Sequence, residues 1–380
     1  MPAAPRGPRV PRLAVVAWTF AALVLTGVAL AVWHYLAGDS MAAMPGRTGV
    51  ADAMARGGAD PFGPLFGTRL VTAWQLDALA LAVLVLAAAW YLTGVALVPL
   101  RTPGARWPAV RTLAFLAGIA VCAFATNGSI AVYDQALFTA HMAGHLALLM
   151  LAPALLVTGR PLRLAIEATR APTSDRIAAL AKGPVVSLLV SPPVALASYA
   201  GVIVGSHLTG LMDTIMRNTW AGQLEHVVYV LVGCQFFALV VGDEPIRWRL
   251  ASPARWLLLA VAMAVDTFTG IVLMQGSHAV ALLPASGLQV DALSDTRTGG
   301  AIMWFGGDAI MALVMVTLVI GWLRRVDTAR ADEKGWLEQA RRAAFAEHTG
   351  ATHTTAETFD DDDEARRSYN AWLAGLDQQR

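Results

Sequence analysis

The chain is short of charge and of cysteine, and each shortage removes a class of protein. Only 14% of its 380 residues are Asp, Glu, Lys or Arg, against about a quarter in an ordinary soluble domain. Its two cysteines, Cys122 and Cys234, each stand alone in an apolar stretch. That leaves no disulfide framework and no CxxC site, and both read as small buried apolar side chains. There is no phosphate-binding loop, GxGxxG turn, nucleophile elbow or HExxH helix, so nothing suggests nucleotide binding or those hydrolase chemistries. The net charge of +1 identifies no partner, and nucleic acid binding has no support. No internal repeat of the kind that marks many transporters is visible.

What the chain has is apolar length. Hydrophobic residues make up 56% of it, in runs that reach the roughly 20 residues needed to cross a bilayer. A span must satisfy its backbone groups within its own helix. The sequence therefore predicts an all-α, polytopic transmembrane bundle of about eight spans with a soluble C-terminal tail. The spans fall at 13–36, 74–98, 110–126, 138–157, 184–204, 221–241, 255–274 and 300–321. The first follows Arg6, Arg9 and Arg12 and competes with a signal peptide cleaved near Ala29-Leu30-Ala31; its length favours a retained anchor.

Loop charge sets the expected orientation, because short cytoplasmic loops collect Lys and Arg. Arg101, Arg106 and Arg111 flank one loop, and Arg160, Arg163, Arg170, Arg176 and Lys182 crowd another. Arg247, Arg249 and Arg255 mark a third, and Arg324 and Arg325 open the tail. The opposite loops hold no base in 127–137, only Arg217 in 205–220 and only Arg297 in 275–299. Eight spans with both termini cytoplasmic satisfy this pattern. Trp33, Trp74 and Trp220 then fall at outer ends and Trp107, Trp256 and Trp322 at inner ends, as in an aromatic belt. Segment 161–182 reads as an amphipathic helix on the cytoplasmic surface. Residues 330–348 read as a charged helix, 349–364 as a flexible acidic link, and 365–378 as a second short helix.

In this topology His141, His145, His207, His226 and His278 all fall at the outer side, as does His34. Imidazole is the commonest metal ligand and titrates near neutral pH, so one-sided histidines point to a metal, a haem or protons. The strongest local signal is His141-Met142-Ala143-Gly144-His145. An i, i+4 pair shares one helix face, about 6 Å apart along the axis, and can reach one metal ion. The same spacing equally suits two interfacial histidines bonded to water. His226 opens the sixth span at a similar depth, so three imidazoles converge if the fourth and sixth spans pack together. His207 and His278 lie in outer loops, where solvation is the simpler role. His34 with Met41, Met44 and Met54 forms a thin imidazole–thioether set of the kind that suits Cu(I), although methionine is common in loops. Asp266 and Asp308 lie inside spans at matching depth, about 12 Å from the outer end. Intramembrane carboxylates are usually functional or paired, so these two form either a polar inner shell below the histidines or protonated acids bonded to Thr267, Thr269 or backbone. Asp134, Asp213, Asp291 and Asp295 lie in outer loops, to draw cations or simply to be solvated.

Phe138-Thr139-Ala140-His141-Met142-Ala143-Gly144-His145, running through Pro153 to Gly159-Arg160-Pro161, resembles the signature of the CtaG-type cytochrome c oxidase assembly factors. Glu225-His226, followed by Asp243-Glu244-Pro245 after the span, and Asp295 with Gly299-Gly300-Ala301-Ile302-Met303-Trp304 are similar as well. The resemblance covers about 74–322, a seven-span core. It leaves 1–73 as an extra anchor span with an outer Gly-, Pro- and Met-bearing loop, and 323–380 as a charged cytoplasmic tail. Tyr369-Asn370-Ala371-Trp372-Leu373 looks like the tails of actinobacterial members. Family members often carry Asp-Gln before the last span; here Thr296 follows Asp295, which leaves the role of Asp295 open.

The resemblance implies a multi-pass protein of the bacterial plasma membrane, non-enzymatic, needed to build a haem–copper oxidase. It would help copper reach the oxidase catalytic subunit, alongside other copper chaperones. His141, His145 and His226 would be ligands, His207 or His278 a fourth, and Asp266 and Asp308 an inner polar shell. Two rivals stay open on the residues alone: a membrane oxidoreductase with b-type haem held by paired histidines, and a copper or proton transporter using the two carboxylates.

Overall fold

A computed structural model describes residues 67, 69–134, 136–241, 244–280, 290–349 and 363–377. These residues are helical with no strand among them. The expected span at 13–36, with His34, Met41, Met44 and Met54, lies outside them.

The α-helices of six or more residues are α1 (Ala78–Arg101), α2 (Ala109–Asn127), α3 (Phe138–His145), α4 (Ala152–Thr158), α5 (Pro161–Ala168), α6 (Thr173–Lys182) and α7 (Pro184–Leu189). They continue with α8 (Pro192–His207), α9 (Leu211–Arg217), α10 (Thr219–Val241), α11 (Ser252–Gln275), α12 (Ala292–Ala301), α13 (Gly307–Thr349) and α14 (Asp363–Asp377). Among the described residues, six stretches are long and apolar enough to cross a membrane: Ala78–Arg101, Ala109–Tyr133, Phe138–Ala168, Trp220–Val241, Ser252–Gln275 and Ala292–Thr328. The span expected at 184–204 is broken into α7 and α8 at Ser191-Pro192-Pro193, where proline removes backbone donors and restricts the preceding residue. Neither piece alone has crossing length.

The spans expose apolar side chains along their outer faces, for example Leu79, Val83, Leu86 and Trp90 on α1 and Leu224, Val227 and Leu231 on α10. Lipid, not water, suits such faces. The interior is aromatic and tightly filled: Tyr91, Tyr133, Tyr199, Tyr229, Phe236 and Phe237 are wholly buried. Buried hydroxyls find partners, as membrane interiors require. Tyr91 donates to Gly159 O at 2.7 Å and receives Trp107 Nε1–H at 3.0 Å.

Two spans are not plain α-helix. Between α3 and α4, residues Leu146–Leu151 form a π-helical segment, and Ile302–Gly306 form another between α12 and α13. The first has a visible cause: Pro153 has no N–H to offer Leu149 O, so the ladder loses a rung there. Gly233 of α10 packs on the same place. A Cβ at Gly233 would collide with Leu149 O and with the Pro153 ring, 2.5 Å away, so only glycine lets α10 approach this closely. Such π segments often accompany functional sites because they re-aim the side chains beside them.

Segment 161–182 is two helices, α5 and α6, rather than one. The helix expected at 330–348 is continuous with the last span as α13, since neither proline nor a glycine turn interrupts 322–334. One compact unit ends at Met315 and a second begins at Val316. Within the second, Glu338 pairs with Arg342 at 3.2 Å, and Tyr369 lies against Trp372 on α14.

Candidate metal centre

Helix α3 carries the paired histidines, and its start is held from a distant span. The Asp295 carboxylate on α12 accepts hydrogen bonds from Phe138 N, Thr139 N and Thr139 Oγ1. A carboxylate on the first amides of a helix satisfies donors that have no partner inside it and complements the dipole. Asp295 therefore positions the histidine helix.

His141 and His145 are buried, with rings 4.1 Å apart. Glu225 on α10 is only 6% exposed and faces both: its Oε1 is 3.3 Å from His145 Nε2 and its Oε2 is 4.0 Å from His141 Nε2. One ligand atom from each of the three lies within 4.8 Å of the others.

The hydrogen bonds behind these rings decide which nitrogen carries the proton. His207, the last residue of α8, places Nδ1 2.8 Å from Ile203 O. A carbonyl can only accept, so His207 Nδ1 donates, and in the neutral ring its Nε2 is an acceptor. His207 Nε2 lies 2.9 Å from His145 Nδ1, which must then be the donor. That leaves the His145 lone pair on Nε2. In the same way His141 Nδ1 lies 2.6 Å from Asp134 Oδ1, so the His141 lone pair is also on Nε2. Both lone pairs thus face the Glu225 carboxylate. His145 Nε2 meets no hydrogen-bond partner among the described residues, and Tyr229 lies beside the Glu225 carboxylate as a donor. Imidazole lone pairs and a carboxylate gathered in a dry site are stabilised by a cation or a proton held between them. Two neutral imidazoles and a carboxylate are a borderline donor set suited to copper, zinc or iron. Asp134 and His207 orient them as outer partners usually do around a metal.

The remaining expected residues are placed as follows. His226 follows Glu225 on α10 and is half-buried, and it is not one of the three that share the 4.8 Å group. His278 is exposed and bonded to Ser277 at 2.9 Å, on the rim of a cavity of about 420 Å³ that His207 also lines. Asp266 and Asp308 lie apart from the histidines' hydrogen-bond network: Tyr199 donates to Asp266 at 2.9 Å, and Thr267 to Asp308 at 3.1 Å. Asp134, expected in an outer loop to draw cations or to be solvated, is 6% exposed and bonded to His141. Glu225 was overlooked as a ligand. Its signal was present, since it is an ionisable residue inside the expected span 221–241, the same ground on which Asp266 and Asp308 were singled out.

Residues 89–325 match the family described as cytochrome c oxidase caa3 assembly factor (Caa3_CtaG). The chain belongs to this family. The assembly-factor match covers every residue of the buried His–His–Glu group. The chain is also similar to uncharacterized proteins of Mycobacterium bovis and Mycobacterium tuberculosis, each 31% identical over 323 residues. These alignments cover 82% of this chain and 46% of each relative. An uncharacterized protein of Mycobacterium leprae is 30% identical over the same length. The chain thus spans about half the length of the curated relatives it matches. No solved structure matches it.

Proposed function

We propose that this assembly factor binds copper at the extracytoplasmic face of the plasma membrane and relays it toward the catalytic subunit of a haem–copper oxidase. His141, His145 and Glu225 hold the ion, Asp134 and His207 fix the imidazole tautomers, and copper is cargo. The observation that carries the reading is the convergence of His141, His145 and Glu225, all buried, with one ligand atom of each within 4.8 Å of the others. Family membership supplies the process, and the donor set suits copper. His226 and His278 are further stations for the ion nearer the surface. Haem is a poorer occupant, because the rings of His141, His145 and His207 lie within 4.8 Å of their neighbours and leave no gap for a macrocycle. The role is that of a carrier, with no substrate bond made or broken.

Metal content tests this. Protein purified in detergent with and without added copper should carry about one copper per chain, as a single three-ligand site allows. His141→Ala combined with His145→Ala should remove it. A double variant that binds copper at full occupancy would overturn the assignment.

A further inference from the structure

The third basic loop, 244–251, is tied both to the start of α5 and to α7. Glu244 accepts from Leu162 N and Arg163 N. Trp248 Nε1 donates to Ser187 O of α7 at 2.6 Å, and Ser187 Oγ donates to Lys182 O at the end of α6 at 3.1 Å. The end of α6, all of α7 and this loop therefore form one corner, on the basic side of the expected topology. The fold makes no use of the corner's cations. Arg176, Lys182, Arg247 and Arg249 are exposed and form no ion pair among the described residues, whereas Arg163 on α5 is held by Glu167 at 2.7 Å. Large apolar side chains are bare beside them: Leu180 is 70%, Val185 69% and Leu188 65% exposed. Trp248, between Arg247 and Arg249, is 40% exposed.

An inorganic anion would answer the cations alone, and acyl chains would answer the apolar groups alone. An anionic phospholipid answers both, and tryptophan beside a base is the usual composition at the headgroup level. We propose that the α6–α7 corner binds an anionic phospholipid. Its phosphate lies among Lys182, Arg247 and Arg249, with Arg176 adding charge, and its acyl chains cover Leu180, Val185 and Leu188. The site has a structural use. α7 has six residues and cannot cross a bilayer, so the broken span at 184–204 has no crossing length to fix its depth. A headgroup held at its start fixes that depth instead, and with it the position of α8, which ends in His207. The inference stands on these surface groups and not on the copper reading.

Native mass spectrometry of the full chain in detergent reads bound lipid directly. Phosphatidylglycerol should form adducts at concentrations where phosphatidylcholine with the same acyl chains forms none. Lys182→Gln, Arg247→Gln and Arg249→Gln together should weaken that binding by about fivefold for each charge removed, the usual effect of a cation near an anionic lipid. Arg297→Gln should leave it unchanged, because Arg297 bonds Gly276 O at the far end of α11 from this corner. The melting temperature of the wild type should rise with phosphatidylglycerol and not with phosphatidylcholine, which gives the same reading without a variant. Equal binding of the two lipids, or undiminished binding by the triple variant, would overturn the proposal. Displacement of the lipid by inorganic phosphate at equal concentration would mark a plain anion site and overturn it as well.

Discussion

Two buried polar clusters lie in the same bundle, and they differ in what surrounds their carboxylates. In the first, His141 and His145 each turn Nδ1 to an outer partner, and the Glu225 carboxylate lies on the Nε2 side of both. In the second, Asp266 accepts the Tyr199 hydroxyl and Asp308 accepts that of Thr267. The second cluster receives two hydroxyl donors yet leaves Asp266 Oδ1 and Asp308 Oδ1 without one, and in the first Tyr229 lies beside Glu225 as a donor. Burial of ionisable groups is common to both and does not by itself mark a metal site. What separates the two is the ligand set: two imidazoles and a carboxylate meet within 4.8 Å in the first, whereas the second joins carboxylates to hydroxyl donors.

The sharpest way to break this contrast is at Glu225. Glu225→Gln keeps the shape, replaces one oxygen by an NH₂ donor and removes the negative charge, so copper binding should be lost. Asp134→Asn acts one step further out. Freed from the carboxylate, His141 can adopt the other tautomer, and copper affinity should fall by about 10–100-fold, the usual cost of an outer partner. Competition titration against a chelator of known affinity reads both. Undiminished affinity in Glu225→Gln would show that the carboxylate is no ligand.

At the second cluster the effect should fall on stability. Asp266→Ala leaves the Tyr199 hydroxyl buried without its acceptor, which costs about 1–3 kcal/mol. Thermal unfolding in detergent should show the loss while copper stoichiometry stays unchanged. A loss of copper from this variant would erase the distinction between the clusters and favour one continuous relay through the bundle.

Much of this architecture is legible in the sequence because the membrane makes composition a direct guide to topology. Long apolar runs locate the six crossing stretches of the described residues, but the runs expected at 138–157 and 300–321 extend to Phe138–Ala168 and Ala292–Thr328, and apolar length alone does not show the Ser191-Pro192-Pro193 break inside 184–204. The π segments were not legible, because a shift in hydrogen-bond register leaves composition unchanged. The candidate site was half legible. His141 and His145 share a face by helical spacing alone. Asp134 reaches the pair from the turn seven residues before His141, whereas Glu225 on α10 and His207 on α8 come from distant elements that only the fold brings to it. Burial of Asp134 is not legible from its loop position.

Glu244 offers a finer comparison, since it lies outside the spans and its donors are backbone amides. It accepts from Leu162 N at 3.1 Å and Arg163 N at 3.0 Å, at the start of α5, much as Asp295 holds the start of α3. Burial raises its pKa above the ordinary 4.5, and the two backbone bonds only partly oppose the shift. A group whose pKa is raised by folding contributes stability that is complete below its unfolded value and is lost as pH rises through the folded one. Wild-type stability should therefore decline, relative to Glu244→Gln, as pH rises from 4.5 through the raised value. The effect should be the smallest of those proposed here, because the amides favour the charged form. Melting temperatures of the two proteins across that range would check it, and parallel curves would mean that the Glu244 carboxyl titrates alike in the folded and unfolded chain.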